Sequence, residues 1–366
     1  MKICKPDYYD RFKCIAGACS DSCCIGWEID VDEDKRAMYR SVPGELGERL
    51  KHCIDWEEGH FILQGEKERC PFLNNENLCD LIIGLGEDSL CDICREHPRY
   101  YDWYDGYTEV GVGLCCEAAA RLVLESEQPA GFVTTETDED NDGEMTESPE
   151  EKEWIEVLFE ARKTAFAILQ NRKKSIWSRL AEFLTYIDEL QDGLEFDNPD
   201  EVLESARYYR ENVAGEETTD ENADWEEVLP AYAELVNACR SLEPIDAVWP
   251  ETLERLGELA ADPERLQQAE TMLREKVSDR DYEYEHLAVY FVYRYFMKCR
   301  EDSDVYSKGY LAVFCVMLIR LLDLETVQSS GNLTKEDRAQ NAKTCSKEIE
   351  YSEENLEILS EIFWNN

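Results

Sequence analysis

The chain has 366 residues, 38 Lys and Arg against 83 Asp and Glu, a formal net charge of −45 and 43% hydrophobic residues. The length allows two domains or one domain with a large annex, and the apolar content suffices for a core. The charge argues against nucleic acid and anionic membrane surfaces as partners and favours cationic ligands, such as lysines on another protein or a sulfonium cofactor, while equally serving solubility.

Twelve of the 16 cysteines lie in the first 116 residues. The tightest group, Cys14, Cys19, Cys23 and Cys24, brings thiolates close enough in sequence to meet on one soft cation without closing long loops. The opening Met1-Lys2-Ile3-Cys4-Lys5-Pro6 has no apolar signal region and no small-residue cleavage site, so a reducing cytoplasmic setting is expected and ligation is preferred over disulfides. The adjacent pairs Cys23-Cys24 and Cys115-Cys116 would also make strained disulfides. Asp30 to Asp34 followed by Lys35-Arg36 reads as an acidic N-cap and first turn of a helix. The N-terminal third is expected to be short helices joined by ligand loops.

A second cysteine group follows at Cys70, Cys79, Cys91 and Cys94, and a third at Cys115-Cys116-Glu117-Ala118. These exceed the four thiolates of one zinc or iron–sulfur site, so either two centres exist or some of the cysteines are core residues. The irregular spacings, with a single C-x2-C at Cys91 and Cys94, favour an iron–sulfur cluster over zinc. A radical-enzyme hook is not supported, because Gly26 stands where the third cysteine after Cys19 and Cys23 would be. His97 could be a ligand, although Pro98-Arg99 suits a plain turn. Ile82 to Glu87 reads as a tight turn rather than a nucleotide loop. Four histidines and no nucleophile elbow give a hydrolytic triad little support.

The run Tyr100 to Tyr107 alternates aromatic rings with Asp102 and Asp105. It has two readings: a lysine-side-chain pocket in which Tyr101, Asp102 and Tyr104 meet the amine, or an aromatic hairpin packed beside the cysteines. Thr134 to Glu153 holds ten Asp or Glu against one Lys, the composition of an acidic linker or disordered loop. It divides the chain into a cysteine-rich region, 1–133, and a helical region, 154–366.

Downstream, apolar residues recur at helical spacing, with candidate helices at about 199–213, 223–241, 250–277, 283–300, 304–325 and 333–363. Tyr284 to Met297 is apolar around most of its circumference and is expected to be a central buried helix. The apolar stretch Tyr310 to Ile319 stops at Arg320, about half the length needed to cross a bilayer. The predicted fold class is mainly α: a cysteine-rich, metal- or cluster-bearing N-terminal region of short helices and loops, then an α-helical domain.

Several separated motifs together resemble the flagellin lysine-N-methylases: Cys14-x4-Cys19-x-Asp21-Ser22-Cys23-Cys24-x-Gly26-Trp27, Cys70-Pro71-Phe72-Leu73 with Leu78-Cys79, Gly86-Glu87-x2-Leu90-x3-Cys94-x3-Pro98-Arg99, and Cys115-Cys116-Glu117-Ala118. Tyr284 to Phe296 is similar to that family's C-terminal aromatic helix. The resemblance implies methyl transfer from S-adenosylmethionine to lysine ε-amines of flagellin or another lysine-bearing protein. It also implies a cysteine-ligated [4Fe–4S] cluster, with zinc as the alternative, in a mainly structural role. The cysteines matching the pattern are Cys14, Cys19, Cys23, Cys24, Cys70, Cys79, Cys94 and either Cys115, which one alignment favours, or Cys116. Cys4, Cys53 and Cys91 have no counterpart, and no residue motif marks the cofactor pocket. The competing reading is a zinc- or iron-chelating cysteine-rich protein that transfers no methyl group.

Overall fold

The computed structural model describes residues 1–20, 22–137, 147–212 and 225–365, with secondary structure alone for 225–230. The fold is mainly helical with one small sheet. The elements run β1 (Lys2–Pro6), α1 (Glu33–Arg40), α2 (Gly44–Cys53), α3 (Asp80–Leu85), α4 (Asp92–Glu96), β2 (Arg99–Tyr104), β3 (Tyr107–Val112), α5 (Glu117–Glu125) and β4 (Phe132–Glu136). Then come α6 (Pro149–Leu169), α7 (Ile176–Glu195), α8 (Pro199–Asn212), α9 (Trp225–Arg240), α10 (Trp249–Ala260), α11 (Pro263–Val277), α12 (Tyr282–Tyr295), α13 (Cys299–Asp302), α14 (Val305–Ser330), α15 (Lys335–Glu350) and α16 (Glu353–Asn365). Among the described residues, no helix is long and apolar enough to cross a membrane.

Two hydrophobic cores organise these elements. A small core gathers Ile29, Tyr39, Leu50, Phe61, Phe72 and Leu81 with Cys70 and Cys91, and Cys24, Cys53, Cys79 and Cys94 pack against it. The large core joins the C-terminal helices to Tyr8 and Phe12, to the β2–β3 hairpin and to α5. The sheet, in order β2-β3-β1-β4, therefore belongs to the helical body. Its parallel β1–β3 pair is anchored by Tyr293 of α12, whose hydroxyl donates to the carbonyls of Cys4 and Val110 at 3.2 Å each. Arg162 of α6 forks onto the buried Glu109 of β3, and burial of this pair is tolerated because both ends of the carboxylate are bonded.

Several local expectations can be compared with this arrangement. Asp32 caps α1 by accepting from the N–H of Lys35 at 2.9 Å, where the acidic run predicted a helix start. The aromatic run forms a hairpin closed at Asp105-Gly106, with Gly106 at φ +70°. Short helices alone do not describe the N-terminal third, since three strands, β1 to β3, also come from its sequence. The acidic segment 134–153 is not wholly linker: Thr134 to Glu136 pair with β1, and Pro149 to Glu153 form the first turn of α6 behind a Ser148–Glu151 capping box. Residues 138–146 lie outside the described residues.

The predicted helix at 250–277 is two, because Asp262 caps a new helix that begins at Pro263. The predicted helix at 333–363 also divides, at Tyr351-Ser352. Helix α12 is buried along nearly its whole length, as its composition predicts. The helix predicted at 304–325 runs through Arg320 and on to Ser330 as α14, and Arg320 is buried against Glu270 with its guanidinium 4.3 Å from the Trp177 ring.

Candidate functional site

The N-terminal cysteines meet the helical body along a seam between two loops, Cys14 to Trp27 and Gly113 to Glu117, and the C-terminal part of α15. Glu117, buried at the first turn of α5, accepts from the backbone N–H and the hydroxyl of Ser20 at 2.8 and 2.7 Å, and Cys19 Sγ lies 3.6 Å from the same oxygen. Burial works against its charge, but these bonds and Arg121 hold its carboxyl below the usual range. One carboxylate thus fixes the middle of the first cysteine loop. Trp27 sets its ring edge-on to Tyr351, centroids 5.0 Å apart, and Lys347 lies over the indole at 5.8 Å.

The thiols sort into two groups. Cys14, Cys23 and Cys116 influence one another at the seam, where Cys14 and Cys23 are exposed and Cys116 is half-buried. Cys24, Cys70, Cys79, Cys91 and Cys94 do so inside the small core. The doublet Cys23-Cys24 stands between the groups, one thiol hydrogen-bonded to the other. That bond pulls Cys24 down to about 7 and pushes Cys23 up. Cys91 and Cys94 form a second bonded pair, with Cys91 lowered and Cys94 raised. Burial raises Cys70 to about 12.

All 16 cysteines are free thiols. The soft donors are thus of the right kind and gathered in two places for a thiophilic metal. Their sulfurs pair off, however, and among the described residues no three His, Cys, Asp or Glu side chains are arranged to hold an ion.

Cys115 and Cys116 point to different surroundings. Cys115 is buried and hydrogen-bonded to the Tyr351 hydroxyl, beside a network in which Arg294 meets Glu350 at 3.1 Å and the Tyr290 hydroxyl at 2.7 Å. Cys116 faces Cys14 and Lys343. Cys4 lies in β1 and Cys53 at the end of α2.

Tyr101, Asp102 and Tyr104 do not converge. On β2, Tyr104 points into the large core against Phe159, with the Arg300 guanidinium 4.5 Å from its ring. Tyr101 takes the opposite face, stacked on the exposed Trp103 at 5.8 Å and donating to Glu96 at 2.5 Å. Asp102 shares the face of Tyr104; burial raises its carboxyl against the pull of Lys298 and Arg300. Strand alternation separates what the sequence places side by side.

An open cleft of about 470 Å³ is cut into the small lobe, lined by Asp30, Asp32, Glu58, Asp92, Arg36 and Ile93 among others. Asp32 spends one oxygen on the Lys35 N–H and the other on the Asp92 N–H at 2.9 Å, while the Nε of Arg36 is buried without a partner. Its excess of carboxylates suits a cationic ligand. Sequence reasoning missed this cleft, because its walls come from three segments that no local motif links.

Residues 162–366 match the family described as the FliB lysine N-methylase C-terminal domain. The chain belongs to the FliB family. Its relatives include the flagellar biosynthetic protein FliU of Salmonella muenchen, 28% identical over 133 residues, which are 34% of this chain and 78% of FliU. The lysine-N-methylases of Salmonella typhimurium (strain LT2) and Salmonella choleraesuis are 27% and 26% identical over 133 residues, 34% of this chain and 33% of each relative. The match thus spans about a third of the length of those two methylases. No solved structure matches the chain. The FliB match places the seam at a junction, since α12 and α15 lie within it whereas both cysteine loops precede it.

Proposed function

We propose that this FliB-family chain transfers a methyl group from S-adenosylmethionine to the ε-amine of lysines on a flagellar protein substrate. The observation that carries this reading is the match of residues 162–366 to the FliB lysine N-methylase C-terminal domain. The names of the relatives and the chain's charge of −45, which draws lysine-bearing partners, support it.

S-adenosylmethionine, when bound, supplies an electrophilic sulfonium methyl. The acidic cleft has a volume within the usual range for such ligands, about 300–1,000 Å³, and is the proposed cofactor site, its carboxylates matching the sulfonium and Arg36 the carboxylate of the cofactor. The protein must desolvate the lysine and take its proton before attack. The stacked Tyr101–Trp103 face is the proposed cradle for the incoming cation, and Asp102, which strand alternation turns to the opposite face, is not placed to take the proton there. Tyr104, packed in the core, supports that strand.

The transfer is a polar displacement and consumes no electron. A cysteine-held iron–sulfur cluster or zinc would therefore act as a clamp on the small lobe, where metal binding adds folding energy. The alternative of a metal-chelating protein without methyl transfer draws on the same thiols. Titration of the full chain with S-adenosylmethionine separates the two: saturable micromolar binding supports the methylase, and no binding supports the chelator.

A further inference from the structure

We infer that the open edge of β2 is the docking site for the substrate segment: a lysine-bearing, extended stretch of the partner protein pairs with it as an added strand and so lays its lysine on the Tyr101–Trp103 face. The inference deepens the proposed function and rests on it for the nature of the partner.

The sheet runs β2-β3-β1-β4, so among the described residues β2 pairs with β3 alone and its other side ends the sheet. The turn through Asp105 and Gly106 closes on Tyr104 and Tyr107. A two-residue hairpin closes on a bonded pair, and bonding then alternates along the antiparallel ladder. Tyr104, Asp102 and Tyr100 therefore spend their N–H and C=O groups on β3, whereas those of Trp103, Tyr101 and Arg99 point to the open edge. The Arg300 guanidinium, which donates to the Trp103 carbonyl at 3.2 Å, agrees with this phase. Such a row of outward N–H and C=O groups is a template for another strand.

Pairing fixes where the docked side chains go. Successive side chains of a strand take opposite faces, so residues docked opposite Tyr101 and Trp103 share the face of those rings, about 5 Å away. That face carries the stacked rings, with Trp103 46% exposed, and the carboxylate of Glu96, to which the Tyr101 hydroxyl donates at 2.5 Å. Partial burial works against its charge, yet bonds from Tyr101 and Arg95 hold the Glu96 carboxyl below the usual range. Arg95, itself exposed, reaches Glu96 at 2.9 Å and Asp92 at 2.6 Å, a cation already seated where a lysine ammonium would go. A lysine arriving over the rings takes the place of Arg95 on Glu96, while Arg95 keeps Asp92. The net charge of −45 favours a basic segment over an acidic one. One short helix also joins this face to the proposed cofactor site: Asp92 and Ile93 of α4 line the acidic cleft, and Glu96 lies about 6 Å further along the axis.

The test titrates the full chain with an acetylated, amidated heptapeptide of alternating Thr and Val around one central Lys, and follows amide exchange residue by residue. Saturable binding is expected, with slowed exchange at the N–H of Tyr101 and Trp103 and no change at Asp102, whose N–H is already bonded to β3. Methylating one alternate set of the peptide's backbone amides should abolish binding, and methylating the other set should spare it. Norleucine in place of the Lys should weaken binding about two- to fivefold, and Glu96→Gln should shrink that difference. No saturable binding at millimolar peptide, equal effects of the two methylated sets, equal affinity for Lys and norleucine, or protection at Asp102 instead of Tyr101 and Trp103 would overturn the inference. The peptide series on the unmodified chain decides the matter even where Glu96→Gln misfolds. Equal methyl transfer to the plain peptide and to both methylated sets would sink the docking edge alone, whereas edge binding without methyl transfer would sink the proposed function alone.

Discussion

Glu117 accepts two hydrogen bonds from Ser20, one from its backbone N–H at 2.8 Å and one from its hydroxyl at 2.7 Å, and so fastens the first cysteine loop to helix α5. Because Glu117 is buried, its removal leaves the Ser20 N–H and Cys19 without their acceptor. Glu117→Ala is expected to destabilise the chain by about 1–3 kcal/mol and to speed alkylation of Cys14, Cys19 and Cys23. Peptide-resolved iodoacetamide labelling reads this directly. Unchanged labelling would mean that the loop is held by something else.

Arg338 and Asp323 are both fully buried, bonded at 2.8 Å, and share the Tyr284 hydroxyl, which donates to Asp323 at 2.7 Å. Glu283 accepts from the same guanidinium at 2.6 Å. Asp323→Ala strips Arg338 of one carboxylate and leaves Asn341 short of an acceptor. The expected loss is about 3–5 kcal/mol in urea unfolding. A loss below about 1 kcal/mol would show that water or Glu283 alone satisfies the arginine.

Much of this was legible beforehand and some was not. The helical body could be read from apolar periodicity because its helices bury one face or, in α12, nearly all of it. Arg320 breaks the apolar run without ending the predicted helix, because Glu270 and Trp177 lie across the core to receive it. The β1–β3 pairing joins residues about a hundred positions apart, a distance over which alternation in a five-residue strand is silent. Clustering of the cysteines was visible as spacing, but their division into two groups depends on which core each side chain enters, and spacing does not encode that.

Tyr104 and Trp103 are neighbours with opposite fates. Tyr104→Ala opens a cavity against Phe159 and should destabilise the chain by about 3 kcal/mol. Trp103, 46% exposed, should tolerate alanine with a change within about 0.5 kcal/mol while weakening capture of a lysine-bearing substrate. Thermal melts and substrate KM measured on both variants check the pair. A normal KM in the folded Trp103→Ala chain would remove the aromatic cradle.

His97 is largely buried, and burial alone lowers its imidazole to about 4. The unfolded chain holds its proton up to about pH 6.5, so the contribution of the neutral ring is complete above that value and is lost as pH falls toward about 4. Between pH 7 and pH 5 the chain should lose about 2 kcal/mol through this residue. Urea midpoints of the parent and His97→Gln chains at the two pH values measure the difference. Equal pH dependence in both would show that the ring does not titrate with unfolding.

The central claim is methyl transfer to lysine. The most direct test incubates the purified chain with methyl-labelled S-adenosylmethionine and a lysine-bearing flagellar filament protein, then locates label by peptide mass spectrometry. The account predicts label on lysine ε-amines of the substrate, and much less of it with the Trp103→Ala chain while that variant stays folded. Cofactor and substrate recovered unmodified with a folded, metal-loaded chain would contradict it.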